Sequence, residues 1–335
     1  MNPIHYNDLV YGEAMIDDPA AIEIINSPAM QRLKGVDQAG YLPTWTEDVE
    51  KLNDPEHTRF AHSVGVYLLL KKFGAPREEQ IAGLIHDISH TAFSHVIDYV
   101  LSSSPAQQNY QDETHETYVK STELPLILSR HGFNLEFILD DTNFPLKETD
   151  LPDLCADRID YILRDGIISA ECGRETANDY LENLTVKNGR WVFKDYAEAE
   201  AFADFFMRFS SRHFSGAVTA ALFQATAEYL KSTLEKKYIT INDLYTTDQA
   251  VRDLIAVHFP ADADIKRLHR RITDHRCFAL DANNYTQHIF CKSRAVDPLF
   301  QHETGVSRVS EKNKEWVEKI QNGLKPKEYY FRYIY

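Results

Sequence analysis

The stretch LIHDISHTAFSH, Leu84 to His95, gathers three of the chain's 14 histidines and an aspartate into a dozen residues. Imidazole beside carboxylate is a donor set for a divalent transition metal such as Fe, Mn, Zn or Ni, and His86 with Asp87 offers two such donors. Two donors do not hold an ion. His62, in RFAHSVGV, and Asp157, in CADRIDYILRD, are candidates for the others. Four donors from three helices of a bundle would close a site while leaving positions for water and substrate. Taken singly, His62 reads as a satisfied or exposed histidine and Asp157 as part of a charged helix face. The ordered set His, His-Asp, Asp carries the metal reading.

Helices must position these donors. At about 100° per residue, Ile81, Leu84, Ile85 and Ile88 form one apolar face of PREEQIAGLIHDISH and leave His86, Asp87 and His90 opposite. Ala82 and Gly83 stand on that polar side where a solvated face would carry Lys or Glu, which predicts close approach of a second surface or a ligand. The preceding helix, TRFAHSVGVYLLLKKFG, is ended by Gly74. In DRIDYILRD, Asp157, Tyr161 and Asp165 recur every fourth residue and share a stripe bordered by Arg158. The plainer reading of that segment is a solvated face with an Asp160 to Arg164 ion pair. His95 and Asp98 are three residues apart, a spacing at which the carboxylate orients the ring and raises its basicity.

Around this centre, Asp18-Pro19 and Ser27-Pro28 open two short helices, AAIEII and AMQRLKGV. Gly40 to His57 is a polar loop, and Leu101 to Thr114 an aperiodic, mobile one. KNGR between LTV and WVF predicts a hairpin with a type I′ turn at Asn188-Gly189. Helical patterns run from about Glu198 to Lys236, where Arg208 and Arg212 are candidates for a phosphate contact and otherwise surface cations. After Phe278, the segments QHIFCKSRAVDPLF and EYYFRYIY read as strands around the helix EKNKEWVEKIQNG. The predicted fold is mainly α, with a helical bundle core over 1–275 and a small α/β appendage over 276–335.

With 43% apolar residues the 335-residue chain has material for a large core. Its charge of -15 opposes binding to duplex nucleic acid or an anionic membrane. No apolar run approaches the roughly 20 residues of a membrane span, and MNPIHYNDLVYG lacks the features of a signal peptide. The four cysteines form no C-x-x-C pair. These features predict a soluble, cytoplasmic protein.

In SPAMQRLKGVDQAG, HTRFAHSVGV, AGLIHDISHTAFSHVID, THE at Thr114 to Glu116 and DRIDYILRD, in that order, the chain resembles the HD-domain metal-dependent phosphohydrolases, whose signature is His, His-Asp, Asp. More narrowly it is similar to bacterial relatives of the dNTP triphosphohydrolases that in animals carry a sterile-alpha-motif domain. The resemblance implies an HD-domain bundle, with the signature at about 50–170, and a homo-oligomer. It implies that His62, His86, Asp87 and Asp157 hold the metal, with room for a second ion such as Mg. It places His90 and Arg59 on the α-phosphate, and His95, Asp98 and His115 in a relay that protonates the leaving 5′-oxygen. Arg158 and Tyr161 would contact the triphosphate, and Gln38 and Asp165 the sugar 3′-hydroxyl. The implied reaction is hydrolysis of a deoxynucleoside triphosphate to nucleoside and triphosphate by metal-activated water attacking the α-phosphorus. Two departures stand out: Ala39 follows Gln38 where the animal enzymes have a bulkier aliphatic, and Arg158 replaces a lysine. Two other readings remain open: an HD phosphohydrolase acting on a nucleoside monophosphate or signalling nucleotide, and a non-catalytic nucleotide-sensing protein. The absence of a GYP tripeptide counts against the cyclic-dinucleotide phosphodiesterases.

Overall fold

A computed structural model describes residues 2–40, 57–101, 110–274 and 277–334. Its first element has no strong sequence signal. Strands β1 (Ile4–Asp8) and β2 (Gly12–Ile16) form an antiparallel hairpin. The buried Asp8 closes the turn by accepting from the amides of Val10, at 2.8 Å, and Tyr11, at 3.0 Å. Helices α1 (Pro19–Ile25) and α2 (Pro28–Arg32) begin where predicted: the Asp18 carboxylate accepts from the amides of Ala20 and Ala21, and the Ser27 hydroxyl from that of Met30.

Helix α3 (Arg59–Lys72) is capped by Thr58 and buried without a break from Arg59 to Leu70. Burial on every side marks it as the central helix of the fold. Gly74, at φ +71°, follows its end as predicted. Helix α4 (Arg77–Ile85) packs along α3 and is shorter than the apolar period suggests. From Ile85 onward, bonds three residues apart replace the α-helical ladder: the Ile88 amide donates to the Ile85 carbonyl and the His90 amide to the Asp87 carbonyl. His86 to Ser89 therefore form turns, in which the consecutive residues His86 and Asp87 both reach the His62 ring. A regular helix would aim them about 100° apart. Ala82 and Gly83 do admit a close neighbour, but it is α3 and not a ligand: a Cβ on Gly83 would lie 2.5 Å from Leu70 Cδ1.

Helix α5 (Tyr110–Ser121) occupies the last part of the segment predicted as a mobile loop; residues 102–109 of that loop, and 41–56 of the predicted polar loop, lie outside the described residues. Helix α6 (Ala156–Ile168) packs on α3. It is followed by the hairpin β3 (Leu184–Lys187) and β4 (Arg190–Phe193), whose turn has positive φ at both Asn188 and Gly189, as predicted. The long helical region is two helices, α7 (Tyr196–Phe209) and α8 (Ala217–Glu235), separated by a π turn at Ser210–Phe214. Helices α9 (Asp248–Ala256) and α10 (Ala263–Thr273) close the helical part.

The C-terminal residues build β5 (Phe278–Leu280), β6 (Gln287–Cys291), β7 (Leu299–His302), β8 (Gly305–Arg308), helix α11 (Glu315–Gly323) and β9 (Lys327–Tyr333). QHIFCKSRAVDPLF is not one strand. β6 pairs with β9 in a sheet ordered β5-β9-β6, while β7 lies parallel to β4 in a second sheet ordered β3-β4-β7-β8. The C-terminal segment thus shares a sheet with the hairpin that follows α6. The fold is mainly α, and among the described residues no helix is long and apolar enough to cross a membrane.

Candidate active site

His62, on α3, brings its Nε2 within 3.1 Å of His86 Nε2, 2.9 Å of Asp157 Oδ1 and 3.7 Å of Asp87 Oδ2. His86 Nε2 is 3.5 Å from both Asp87 Oδ1 and Asp157 Oδ1. All four predicted ligands therefore converge. Donor atoms bound to one ion at about 2.0–2.2 Å lie roughly 3–3.5 Å from one another; the five separations above run from 2.9 to 3.7 Å, with His62, His86 and Asp87 forming one donor group that Asp157 meets through both imidazoles. The ring tautomers agree with that use. His86 Nδ1 is 2.7 Å from the Gly83 carbonyl, which can only accept, so a neutral ring presents the Nε2 lone pair. His62 Nδ1 lies 2.8 Å from the Asp160 carboxylate, so its Nε2 also faces the centre. Burial opposes charge on His62, but hydrogen bonds to Asp157 and Asp160 outweigh it and carry the pKa to about 10. The position favours positive charge, and a divalent cation would exchange for that proton. Glu148 and Cys155 form a second donor group with Asp157. Arg158 already neutralises Glu148 there at 3.1 Å, and a second ion would compete with it.

Asp160 is the supporting residue missed in the sequence, where its spacing from Arg164 reads as a surface pair. Both are fully buried. Arg164 donates to both Asp160 oxygens at 3.0 Å and to Asp8 Oδ2 at 2.9 Å, so a chain of charges runs from the N-terminal turn to the His62 ring. Gly65, one turn after His62, makes the room: a Cβ there would fall 2.1 Å from Asp160 Oδ1 and 2.2 Å from Arg164 Nη2. Neither atom can retreat without leaving its partner. Gly65→Ala is expected to cost at least about 1–3 kcal/mol of stability and to lower the metal content of the purified protein, read by thermal melting and elemental analysis; a variant that melts and loads like the wild type would disprove this support.

Arg59, at the start of α3, donates to Asp87 Oδ2 at 2.6 Å, to the Gln38 carbonyl at 2.9 Å and to Ser94 Oγ at 3.1 Å, tying the donor cluster to its surroundings. His90 Nε2 stands 3.4 Å from Asp87 Oδ1, and burial followed by the Arg59 charge lowers its pKa to about 3. His95 meets Asp98 at 3.4 Å and His90 edge-on at 5.1 Å between centroids. The predicted rise in His95 basicity is reversed. Burial lowers its pKa, Asp98 opposes this, and Arg59 and Arg294 push the same way as burial. His115 is not brought to the pair. Its Nδ1 lies 3.1 Å from Ser89 Oγ, and burial, then Lys147, lower its pKa to about 4. Asp98 instead accepts from the Tyr110 amide at 2.9 Å, which anchors the start of the helix that carries His115.

Beside the donor cluster opens a cavity that Arg59 reaches from the start of α3. Gln38, Ala39, Arg59, His95, Tyr161 and Asp165 line one part, and Phe209, His213, Phe214 and Phe223 an aromatic part. Phe214 meets Tyr161 and Phe209 at 5.4 and 5.3 Å between centroids. Among the described residues two polar atoms here are buried without a hydrogen-bond partner, Gln38 Oε1 and Tyr161 OH, while Asp165 Oδ1 meets only the His57 ring, at 3.3 Å. Such atoms are costly to leave unmet, and their convergence on one cavity indicates a polar ligand. Three of the predicted cations do not serve this space. Arg158 donates to the Thr149 carbonyl at 2.5 Å and pairs with Glu148. Arg208 pairs with Asp204 and Arg212 with Glu171, both with exposed guanidinium groups. The π turn that carries Arg212 faces the cavity with His213 and Phe214.

His57, not singled out in the sequence, lies between Asp37 at 3.1 Å and Asp165 at 3.3 Å. Burial opposes its charge, but Asp37 and Asp165 overcome it and bring the pKa to about 10. A folded-state value above the unfolded one stabilises fully below about pH 6.5, and the contribution disappears as pH rises through 10. The stability gap between wild type and His57→Gln is therefore expected to be widest at pH 6 and to close toward pH 10 in denaturant melts. A gap constant over that range would contradict it.

No family model matches the chain. Over 253 residues it is 38% identical to YdhJ of Bacillus subtilis (strain 168), an uncharacterized protein, with 74% of each chain covered. It is 38% identical over 186 residues, 55% of this chain, to the metal-dependent phosphohydrolase cns2 of Cordyceps militaris. Over about half its length the chain is thus similar to a metal-dependent phosphohydrolase. It is also 30% identical over 148 residues, 38% of its length, to the mouse deoxynucleoside triphosphate triphosphohydrolase SAMHD1. It spans about half the length of cns2, at 51%, and about a fifth of the mouse protein, at 21%.

Proposed function

We propose that the chain is an HD-domain enzyme that hydrolyses deoxynucleoside triphosphates to nucleoside and triphosphate. The observation that carries this reading is the adjacency of two half-sites joined by Arg59: a cluster of His62, His86, Asp87 and Asp157 fit for a divalent cation, and a cavity into which Gln38 Oε1 and Tyr161 OH bring unmet polar atoms. When bound, the metal supplies Lewis acidity toward water and a phosphoryl oxygen. The protein supplies the rest. Arg59 and His90 stand where charge develops on the α-phosphate, the His95 and Asp98 pair delivers a proton to the leaving 5′-oxygen, and Asp165 with Gln38 accepts from a sugar hydroxyl. Asp160 holds His62 in place through Nδ1, and the aromatic part of the cavity receives the base. With Ala39 rather than a larger side chain beside Gln38, discrimination against ribose is looser.

The deciding experiment is ³¹P NMR of the products of metal-loaded wild type with a deoxynucleoside triphosphate. Tripolyphosphate is the expected product; monophosphate with pyrophosphate, or orthophosphate alone, would refute this reading and leave the metal cluster standing. A second reading, hydrolysis of a nucleoside monophosphate, is favoured by one observation: Arg158, the cation expected on the phosphate chain, is held by Glu148 and Thr149. It is separated in the same assay by offering the monophosphate.

A further inference from the structure

We propose that Arg294, on the segment between β6 and β7, is a further substrate-binding residue that holds the distal phosphates of the bound nucleotide. The assignment deepens the triphosphate reading above and rests on it. Arg294 lines the cavity that Arg59, His95 and Tyr161 also line. It is half-buried, and among the described residues it makes no hydrogen bond or ion pair. Every other arginine considered for phosphate already has a carboxylate: Arg59 has Asp87, Arg158 has Glu148, Arg208 has Asp204 and Arg212 has Glu171. A partly desolvated guanidinium without a counter-charge is costly, and the cost falls when an anion arrives.

The segment that carries it is fixed. Cys291, Ser293, Ala295, Val296 and Asp297 are buried, and the Asp297 amide donates to the Pro152 carbonyl at 2.8 Å. Position 294 is thus presented to the cavity by a rigid backbone, which favours a guanidinium held ready over one that wanders. The surrounding charges agree. Burial raises the Tyr161 phenol, and Arg294 and then Arg158 are the charges that oppose it. Burial lowers Lys292, with Arg294 the next cause and Asp112 and Asp98 opposing. Arg294 therefore acts on both Lys292 and the Tyr161 hydroxyl, an unmet donor in the same wall. A cation and a donor on one side of the cavity, with Arg59 at the metal end, suit a phosphate chain longer than one unit. Arg294 supplies what Arg158 does not.

The test uses the metal-loaded full chain and inorganic tripolyphosphate as the probe, with binding followed by calorimetry, so that no turnover is needed. Arg294→Gln is expected to weaken tripolyphosphate binding about 10- to 100-fold, to weaken orthophosphate binding little, and to raise KM for a deoxynucleoside triphosphate with a much smaller change in kcat. Arg294→Lys is expected to recover part of the affinity, and metal content and melting temperature serve as the check on folding. Equal tripolyphosphate affinity in wild type and Arg294→Gln, or no binding by the wild type, overturns the assignment. Weakened binding by Arg294→Gln, together with a wild type that releases no tripolyphosphate in the NMR assay, would keep Arg294 as an anion ligand and discard the reaction.

Discussion

Replacing His86 and Asp87 together with alanine is expected to strip the metal from the purified protein while the far-UV circular dichroism remains helical. The two side chains supply half of the converging donors, and they follow the last residue of α4, whose apolar positions Ile81, Leu84 and Ile85 are untouched. Arg59 loses its Asp87 partner but keeps the Gln38 carbonyl and Ser94. Loss of activity should exceed that of any other substitution here, because without the ion water keeps a pKa near 15.7 rather than about 7. Elemental analysis decides: undiminished metal in the double variant would move the site elsewhere.

His95→Ala is expected to lower kcat by about 10² to 10⁴ while metal content and nucleotide binding persist. The loss should be smallest for a substrate whose leaving group needs no proton. The pH profile adds a separate signature. A general acid must be protonated, so rate falls as pH rises through its pKa. In the ligand-free protein burial, Arg59 and Arg294 lower that pKa for His95 against the pull of Asp98. A bound polyanion offsets both arginines, so the basic limb of kcat should lie at higher pH than that of kcat/KM. Coincident limbs, both unaltered in Asp98→Asn, would exclude His95 as the acid.

The gathering of His62, His86, Asp87 and Asp157 was legible in the order His, His-Asp, Asp, because a metal needs particular donor atoms and no single one of these residues announces them. Their geometry was less so. The apolar period runs through Ile88, yet the helix stops at Ile85, where His86 and Asp87 both meet His62, a tertiary contact that no local period records. Asp160 and Arg164 show the opposite failure. At i,i+4 they have the signature of an exposed pair, and only Asp8, 156 residues from Arg164, buries them. Gly65 was the available clue, a glycine three residues after His62 in the interior of a helix. His57 and Arg294 had no local signal: one gains its role from carboxylates at 37 and 165, the other from a turn of chain between two strands of different sheets. The hairpin at Asn188-Gly189 was read without difficulty because its turn chemistry is wholly local.

The wiring of His62 through Asp160 and Arg164 to Asp8 also orders events in time. His62 meets Asp160 across 98 residues, and Arg164 meets Asp8 across 156. Closing such spans is slow relative to forming α3 or α4, so the imidazole is oriented only when the chain has docked its distant parts. Metal uptake should therefore lag behind the appearance of helix during refolding and coincide with the last cooperative step, which makes the bound ion a reporter of complete topology rather than of local structure.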